Sequence, residues 1–155
     1  MNYQLLDTPI GTLRLVSNGM GITAIEFAGQ YSDDAAMHAS DSLLEACAAQ
    51  LTEYFAGERE DFSVQLAARG TEFQQSVWQA LRNIPYGEVR SYRDIAGAID
   101  NIAAVRAVGA ANGRNPIPIV VPCHRVIGSD GSLTGFAGGH EAKSALLQLE
   151  GVTLL

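Results

Sequence analysis

The chain has 155 residues, 47% of them hydrophobic, and a formal net charge of −7. That length suits one compact domain or two small lobes. No run approaches the ~20 apolar residues of a membrane span, Met1-Asn2-Tyr3-Gln4 lacks the basic and apolar regions of a signal peptide, and no Cys/His cluster has metal-ligand spacing, so a membrane protein, a secreted one and a metal site are all disfavoured and the cytoplasm is the expected compartment.

Three β-prone runs come first, at residues 3–6, 12–16 and 22–27. Thr8-Pro9-Ile10-Gly11 and Asn18-Gly19-Met20-Gly21 separate them as turns, which predicts a small antiparallel sheet. Over residues 40–55, Leu43, Leu44, Cys47, Leu51, Tyr54 and Phe55 fall on one side of a helix that Gly57 ends. Cys47 lies on that apolar stripe and reads as a packing residue, since a reducing compartment argues against a disulfide. Residues 62–66 read as a further strand. Ala67-Ala68-Arg69-Gly70 then reads as a hinge between a strand-rich N-terminal domain, 1–68, and a mostly helical C-terminal domain, 69–155.

The acidic load belongs to the first of these, with 2 Arg against 10 acids; the second holds 7 Arg, 1 Lys and 7 acids. Between Arg82 and Arg125 stand 6 Arg against Glu88, Asp94 and Asp100. A modest phosphate-facing surface is therefore compatible with the negative total.

In the second domain, Thr71 and Gln74 fit a capping box, and Phe73, Val77, Trp78 and Leu81 form a core-facing stripe. Ile84-Pro85-Tyr86-Gly87 breaks that helix. Ser91, with Asp94 three residues on, caps a second helix reaching Ala98. Residues 102–112 make a third, ended by Gly113. Two short helices joined by a tight turn form a helix-turn-helix. The third helix is nearly bare: Ala103, Ala104, Ala107, Gly109, Ala110 and Ala111 permit close approach to a groove or to another helix.

Arg106 is the one long polar side chain in the middle of that helix, suited to fill the gap left when a base is pulled from the stack. Tyr92 opens the preceding helix. Further on, Cys123 stands in Pro122-Cys123-His124-Arg125-Val126 after the apolar run 117–121. A thiol beside an imidazole has the makings of a nucleophile, because the thiolate is the reactive form and a base generates it. Asn115, before Pro116, is placed to tie the helix-turn-helix to the Cys123 segment. Glu150 ends a helix beginning near Glu141 and is a candidate to orient His124 in a Cys/His/acid relay; spacing alone favours an exposed helix-end acid.

With these residues in view, the chain resembles the O6-alkylguanine-DNA alkyltransferase family, also called methylated-DNA–protein-cysteine methyltransferases. The resemblance runs through Gly70-Thr71-Glu72-Phe73-Gln74, Val77-Trp78, Ile84-Pro85-Tyr86-Gly87, Ser91-Tyr92 and Arg106-Ala107-Val108-Gly109. It continues in Ala111-Asn112-Gly113, Asn115-Pro116, the Pro122 to Val126 pentapeptide, Leu133-Thr134-Gly135, Gly138-Gly139 and Leu149-Glu150-Gly151.

The resemblance implies an α/β (α+β) fold: a ribonuclease-H-like sheet lobe followed by a helical lobe with a winged-helix-like DNA-binding motif. It implies a monomer that binds double-stranded DNA containing O6-alkylguanine through the minor groove, with Ala107, Ala111, Asn112 and Gly113 on the contacting helix. Arg106 would replace the extruded base, and Tyr92 would help rotate its phosphate. The base pocket would comprise Val121, Pro122, Arg125, Phe136, Ala137 and Trp78, with backbone carbonyls near Val121 and Cys123 reading the base edge. Cys123, with Asn115, His124, Glu150 and a water, would take the alkyl group irreversibly in a single-turnover reaction. No cofactor is needed, because the alkyl group comes from the DNA. O4-alkylthymine is a second candidate substrate. The family alternatives are a non-catalytic alkyl-damage-binding protein, which lacks the reactive cysteine, and, outside the family, a Cys/His hydrolase. Phe136 stands where many relatives carry tyrosine, and Asp100-Asn101-Ile102 replaces the more usual Gly-x-Pro turn text.

Overall fold

The computed structural model describes residues 1–133 and 135–153. Thr134, the middle of the Leu133-Thr134-Gly135 block, and the last two residues of the C-terminal domain lie outside them. The chain divides into two compact units, Met1–Arg69 and Gly70–Leu155. The mixed architecture expected from sequence is the one found.

In the first unit, β1 (Asn2–Thr8), β2 (Gly11–Ser17) and β3 (Ile22–Glu26) form an antiparallel meander, and the two-residue β4 (Met37–His38) adds to β1 in parallel, giving the order β3-β2-β1-β4. Pro9 and Ile10 close the first hairpin, and Gly11 accepts the positive φ of 109° that the turn requires. Helix α1 (Ser42–Phe55) begins at Asp41, whose carboxylate accepts the Leu44 N–H, and buries Leu44, Cys47, Leu51 and Tyr54. Residues 62–66 depart from expectation. Only Leu66 bridges to Ile22, because Gln50 on α1 takes both the N–H and the hydroxyl of Ser63 and diverts the segment from the sheet.

The second unit carries α2 (Glu72–Arg82) and α3 (Tyr92–Ala98), each opened by the capping box read from sequence, Thr71 with Gln74 and Ser91 with Asp94. The next helix differs from its expected bounds. Asn101 makes no side-chain cap, so the chain enters through a 3₁₀ turn at Ile102–Ala104 and turns α-helical only at α4 (Val105–Gly113). Gly113 is inside α4, not its stop. The tight turn before α4 is made by Asp100 at φ 55°, a left-handed position that an aspartate tolerates. Two short strands, β5 (Arg90–Ser91) and β6 (Val126–Ile127), pair in parallel, and α5 (His140–Leu149) closes the unit. Among the described residues no helix is long and apolar enough to cross a membrane, and no His/Cys/Asp/Glu group is arranged to hold a metal ion.

Candidate active site

Cys123 lies at the end of a buried strap that leaves α4 through Asn115. The Asn115 amide pins this strap twice: Nδ2 donates to Val121 O at 2.7 Å, and Oδ1 accepts from Ile117 N at 3.0 Å. The same side chain lies near the Cys123 thiol and lowers its pKa. Val121 N donates back to Ile117 O at 2.9 Å, closing a small loop whose apex, Ile119, is held at φ 75°. A β-branched residue adopts that conformation only when its surroundings impose it. Pro122 then leads into a 3₁₀ turn, Cys123–Arg125, with all three residues buried. Val121 O already accepts from both Asn115 Nδ2 and Cys123 N, which fills its two lone pairs, whereas Cys123 O accepts from Val126 N and keeps one.

Behind the thiol is a buried ionic network. His124 Nε2 lies 2.7 Å from Glu150 Oε2 with both side chains fully enclosed. Arg125 grips the same carboxylate with two nitrogens, Nε to Oε1 at 2.8 Å and Nη2 to Oε2 at 3.0 Å, and donates Nη1 to Ile84 O at 2.8 Å. Gly87 N adds a bond to Oε1 at 3.2 Å, and the Tyr86 ring lies 5.7 Å from the guanidinium. Position 87 needs glycine: φ is 80°, and a Cβ there would sit 3.1 Å from Glu150 O. The Ile84-Pro85-Tyr86-Gly87 helix break is thus a cradle for Glu150.

These contacts set the proton inventory. Burial pushes the Cys123 thiol up to about 11, with Asn115 and the Lys143 ammonium pulling it part of the way back. Cys123 is therefore a thiol at neutral pH, and a base is needed before it can act as a nucleophile. Burial holds His124 below its ordinary range, so the ring is neutral. With its Nε2 hydrogen directed at Glu150, Nδ1 carries the free lone pair, and Nδ1 has no partner among the described residues. Cys47 is also buried, and its thiol is pushed up to about 12 with nothing opposing the shift.

The enclosed neutral imidazole has a consequence for stability. Below pH 6.5 the unfolded chain takes up a proton that the folded state refuses, so stability falls as pH drops through that value. The slope is at most about 1.4 kcal/mol per pH unit for this group. Thermal unfolding between pH 7.5 and 5.5 is expected to show the falling Tm, and His124→Gln is expected to flatten it.

The other sequence-predicted residues divide between two faces of α4. Arg106, Ala107 and Gly113 are exposed, in line along the outer face with Ala110. Ala111 and Asn112, expected on the contacting surface, point inward at 3% and 2% exposure. Ala111 O accepts the Trp78 indole N–H at 2.9 Å, which places Trp78, also assigned to the base pocket, in the packing between α2 and α4. Arg125, likewise assigned to the pocket, has its guanidinium committed to Glu150 and Ile84. Pro122 and Val121 are buried beside Cys123, while Phe136 is half-buried and Ala137 exposed. Tyr92 is half-buried, with its ring near Gly109 of α4 and its hydroxyl near Gly135.

Lys143 was not anticipated. It is the single lysine of the chain, 1% exposed, donating to Val126 O at 2.6 Å and close enough to Cys123 for each charge to act on the other. Burial lowers it to about 8. One signal was available: Lys143, Leu146, Leu147 and Glu150 share the buried stripe of α5, so a charge at position 143 had to be enclosed.

Two family profiles together match nearly all of the chain. The ribonuclease-like domain of 6-O-methylguanine DNA methyltransferase matches residues 1–68, and the DNA-binding domain of the same family matches 72–152. A methylated-DNA–protein-cysteine methyltransferase of Mycobacterium tuberculosis is 49% identical over 97% of this chain and 92% of its own length. One from Methanosarcina acetivorans is 48% identical over 97% and 99%. A crystal structure of the M. tuberculosis protein in complex with DNA superposes with a TM-score of 0.91 at 49% identity, covering 97% of this chain and 92% of that one. A buried cysteine with its imidazole and carboxylate, in a domain that matches this profile throughout, leaves one assignment: the chain belongs to the 6-O-methylguanine DNA methyltransferase family.

Proposed function

We propose that the protein repairs DNA directly, by moving the alkyl group of an O6-alkylguanine irreversibly onto Cys123. The observation that carries this reading is the neutral His124, with Nε2 fixed on a carboxylate clamped by Arg125 and Nδ1 unpartnered, next to a thiol that burial keeps protonated. The thiol proton passes to His124, through a water where the two do not touch, and Glu150 stabilises the imidazolium. The Sγ–C bond forms as the C–O6 bond breaks, and guanine leaves with the bonding pair. Hydrogen bonds to the departing ring neutralise its developing charge, and the lone pair left on Cys123 O is one acceptor for a base N–H. The product thioether does not hydrolyse, so each molecule acts once.

The substrate base reaches the thiol by leaving the duplex. In this reading α4 enters the minor groove as a monomer, its bare outer face allowing close approach. Arg106 occupies the vacated position in the stack, and Tyr92 rotates the phosphate. Arg106→Ala is expected to slow transfer from duplex by about ten- to a hundredfold, the scale of an unstacking cost of a few kcal/mol. Transfer from the free modified base should be unaffected, as should Tm, because the side chain is exposed.

The test of the function is intact-protein mass after mixing with a short duplex carrying one O6-methylguanine. One methylene added per molecule, mapped to Cys123 and absent at Cys47, is the expected result. Tight binding with no mass change would indicate a damage sensor instead, and neither binding nor mass change would sink the repair reading.

A further inference from the structure

Among the described residues, only three buried side-chain polar atoms lack a hydrogen-bond partner: His124 Nδ1 and both ends of the Asn112 amide, Nδ2 and Oδ1. The first belongs to the proton path. The second has no place in it. A buried primary amide with both ends unpaired is costly, and native interiors keep such groups only where something else supplies the partner. Position 112 is no accident of a loose surface either, since its side chain is 2% exposed.

The placement is informative. α4 ends at Gly113, and the chain leaves it with Asn115 N donating to Asn112 O at 3.3 Å, which keeps positions 112 and 115 one turn apart. Residues three apart on such a turn are neighbours on one face, with Cβ atoms ~5–6 Å apart. Asn112 therefore lies one turn before the side chain that holds Val121 O and acts on the Cys123 thiol. Asn115 spends its amide on the strap; Asn112 spends its own on nothing among the described residues. Its carbonyl oxygen and its NH2 are an acceptor and a donor, enclosed one turn before the residue that acts on the Cys123 thiol.

We infer that Asn112 is a specificity-determining residue: its amide is a polar subsite for oxygen-bearing alkyl groups, such as 2-hydroxyethyl, as they pass from O6 to Cys123. This rests on the alkyl-transfer reading above. A hydroxyl on the second carbon of the adduct meets a donor and an acceptor where a hydrocarbon chain of the same length meets an unpaired amide. Sites built to bond a hydroxyl discriminate against the analogue that lacks it, because their own buried polar atoms are then left unsatisfied. A methyl group is too short to engage the amide and serves as the internal reference.

The experiment compares single-turnover rates on three duplexes, carrying O6-methyl-, O6-(2-hydroxyethyl)- and O6-propylguanine, with the wild-type protein and with Asn112→Leu, which keeps the shape and removes the amide. The wild type is expected to favour hydroxyethyl over propyl by about tenfold, the scale of one satisfied buried hydrogen bond. Asn112→Leu is expected to abolish or reverse that preference while leaving methyl transfer unchanged within about twofold. It should also raise Tm, since an unpaired buried amide has gone. Asn112→Met provides the same comparison if the leucine variant fails to fold. An unchanged hydroxyethyl-to-propyl ratio in a folded variant would overturn the inference, as would an equal loss on all three substrates. If the wild-type protein transfers no methyl group at all, the failure is that of the repair reading itself.

Discussion

Cys123→Ser is expected to bind alkylated duplex and leave the lesion in place. The substitution is nearly isosteric, and a hydroxyl keeps a hydrogen bond available to Asn115, so fold and DNA affinity should survive. The chemistry should not. A serine hydroxyl is a far weaker acid than a thiol, and the base available is a neutral imidazole whose own protonation burial resists. The expected fall in transfer rate is more than about a thousandfold. Cys47 cannot substitute: it belongs to the apolar face of α1 in the other unit, and burial pushes its thiol up to about 12. Intact mass and a timed transfer assay on the same sample check both halves. Residual transfer within tenfold of wild type would remove Cys123 from its role.

Glu150 variants are expected to show the largest stability effect. Glu150→Ala strips the partner from a buried arginine and a buried histidine at once and withdraws an acceptor from Gly87 N. Breaking one side of an enclosed ion pair costs about 3–5 kcal/mol, enough to lower Tm by well over ten degrees in a domain of this size. Glu150→Gln separates structure from chemistry. It preserves shape, but its NH2 end can donate to His124 Nε2 and so move the ring hydrogen to Nδ1. The lone pair that receives the thiol proton is then gone. Transfer should fall by about a hundred- to ten-thousandfold, the contribution of a correctly held general base, with a smaller change in Tm than in the alanine variant. Calorimetry and single-turnover rates distinguish the two. Equal rates for Glu150→Gln and wild type would exclude the relay.

What the chain announces in its own text is local. Both capping boxes, the three leading strands and the buried stripe of α1 follow from residues within a few positions of one another, because caps, turns and periodic burial are short-range physics. The Pro122 to Val126 pentapeptide and the bare helix were equally legible, since a thiol beside an imidazole and the smallness of alanine depend on no partner far away.

Where prediction failed, a distant group decided the outcome. Residues 62–66 have strand composition, but Gln50 captures Ser63 before a ladder forms. Ala111 and Asn112 look like the rest of the bare helix, yet packing of α4 on α2 and α3 turns that side inward. Arg125 reads as a pocket cation beside the nucleophile, and it is the carboxylate 25 residues later that claims it. Glu150 was a candidate partner of His124 from sequence, but its hold on Gly87 N and Arg125 shows only in the fold, as does the reach of Lys143 to Val126 O. The sequence by itself determined most of the elements and the family, and it singled out Cys123. Only the tertiary structure decided which charges are enclosed together, because desolvation and hydrogen-bond geometry belong to the assembled interior and not to any segment of the chain.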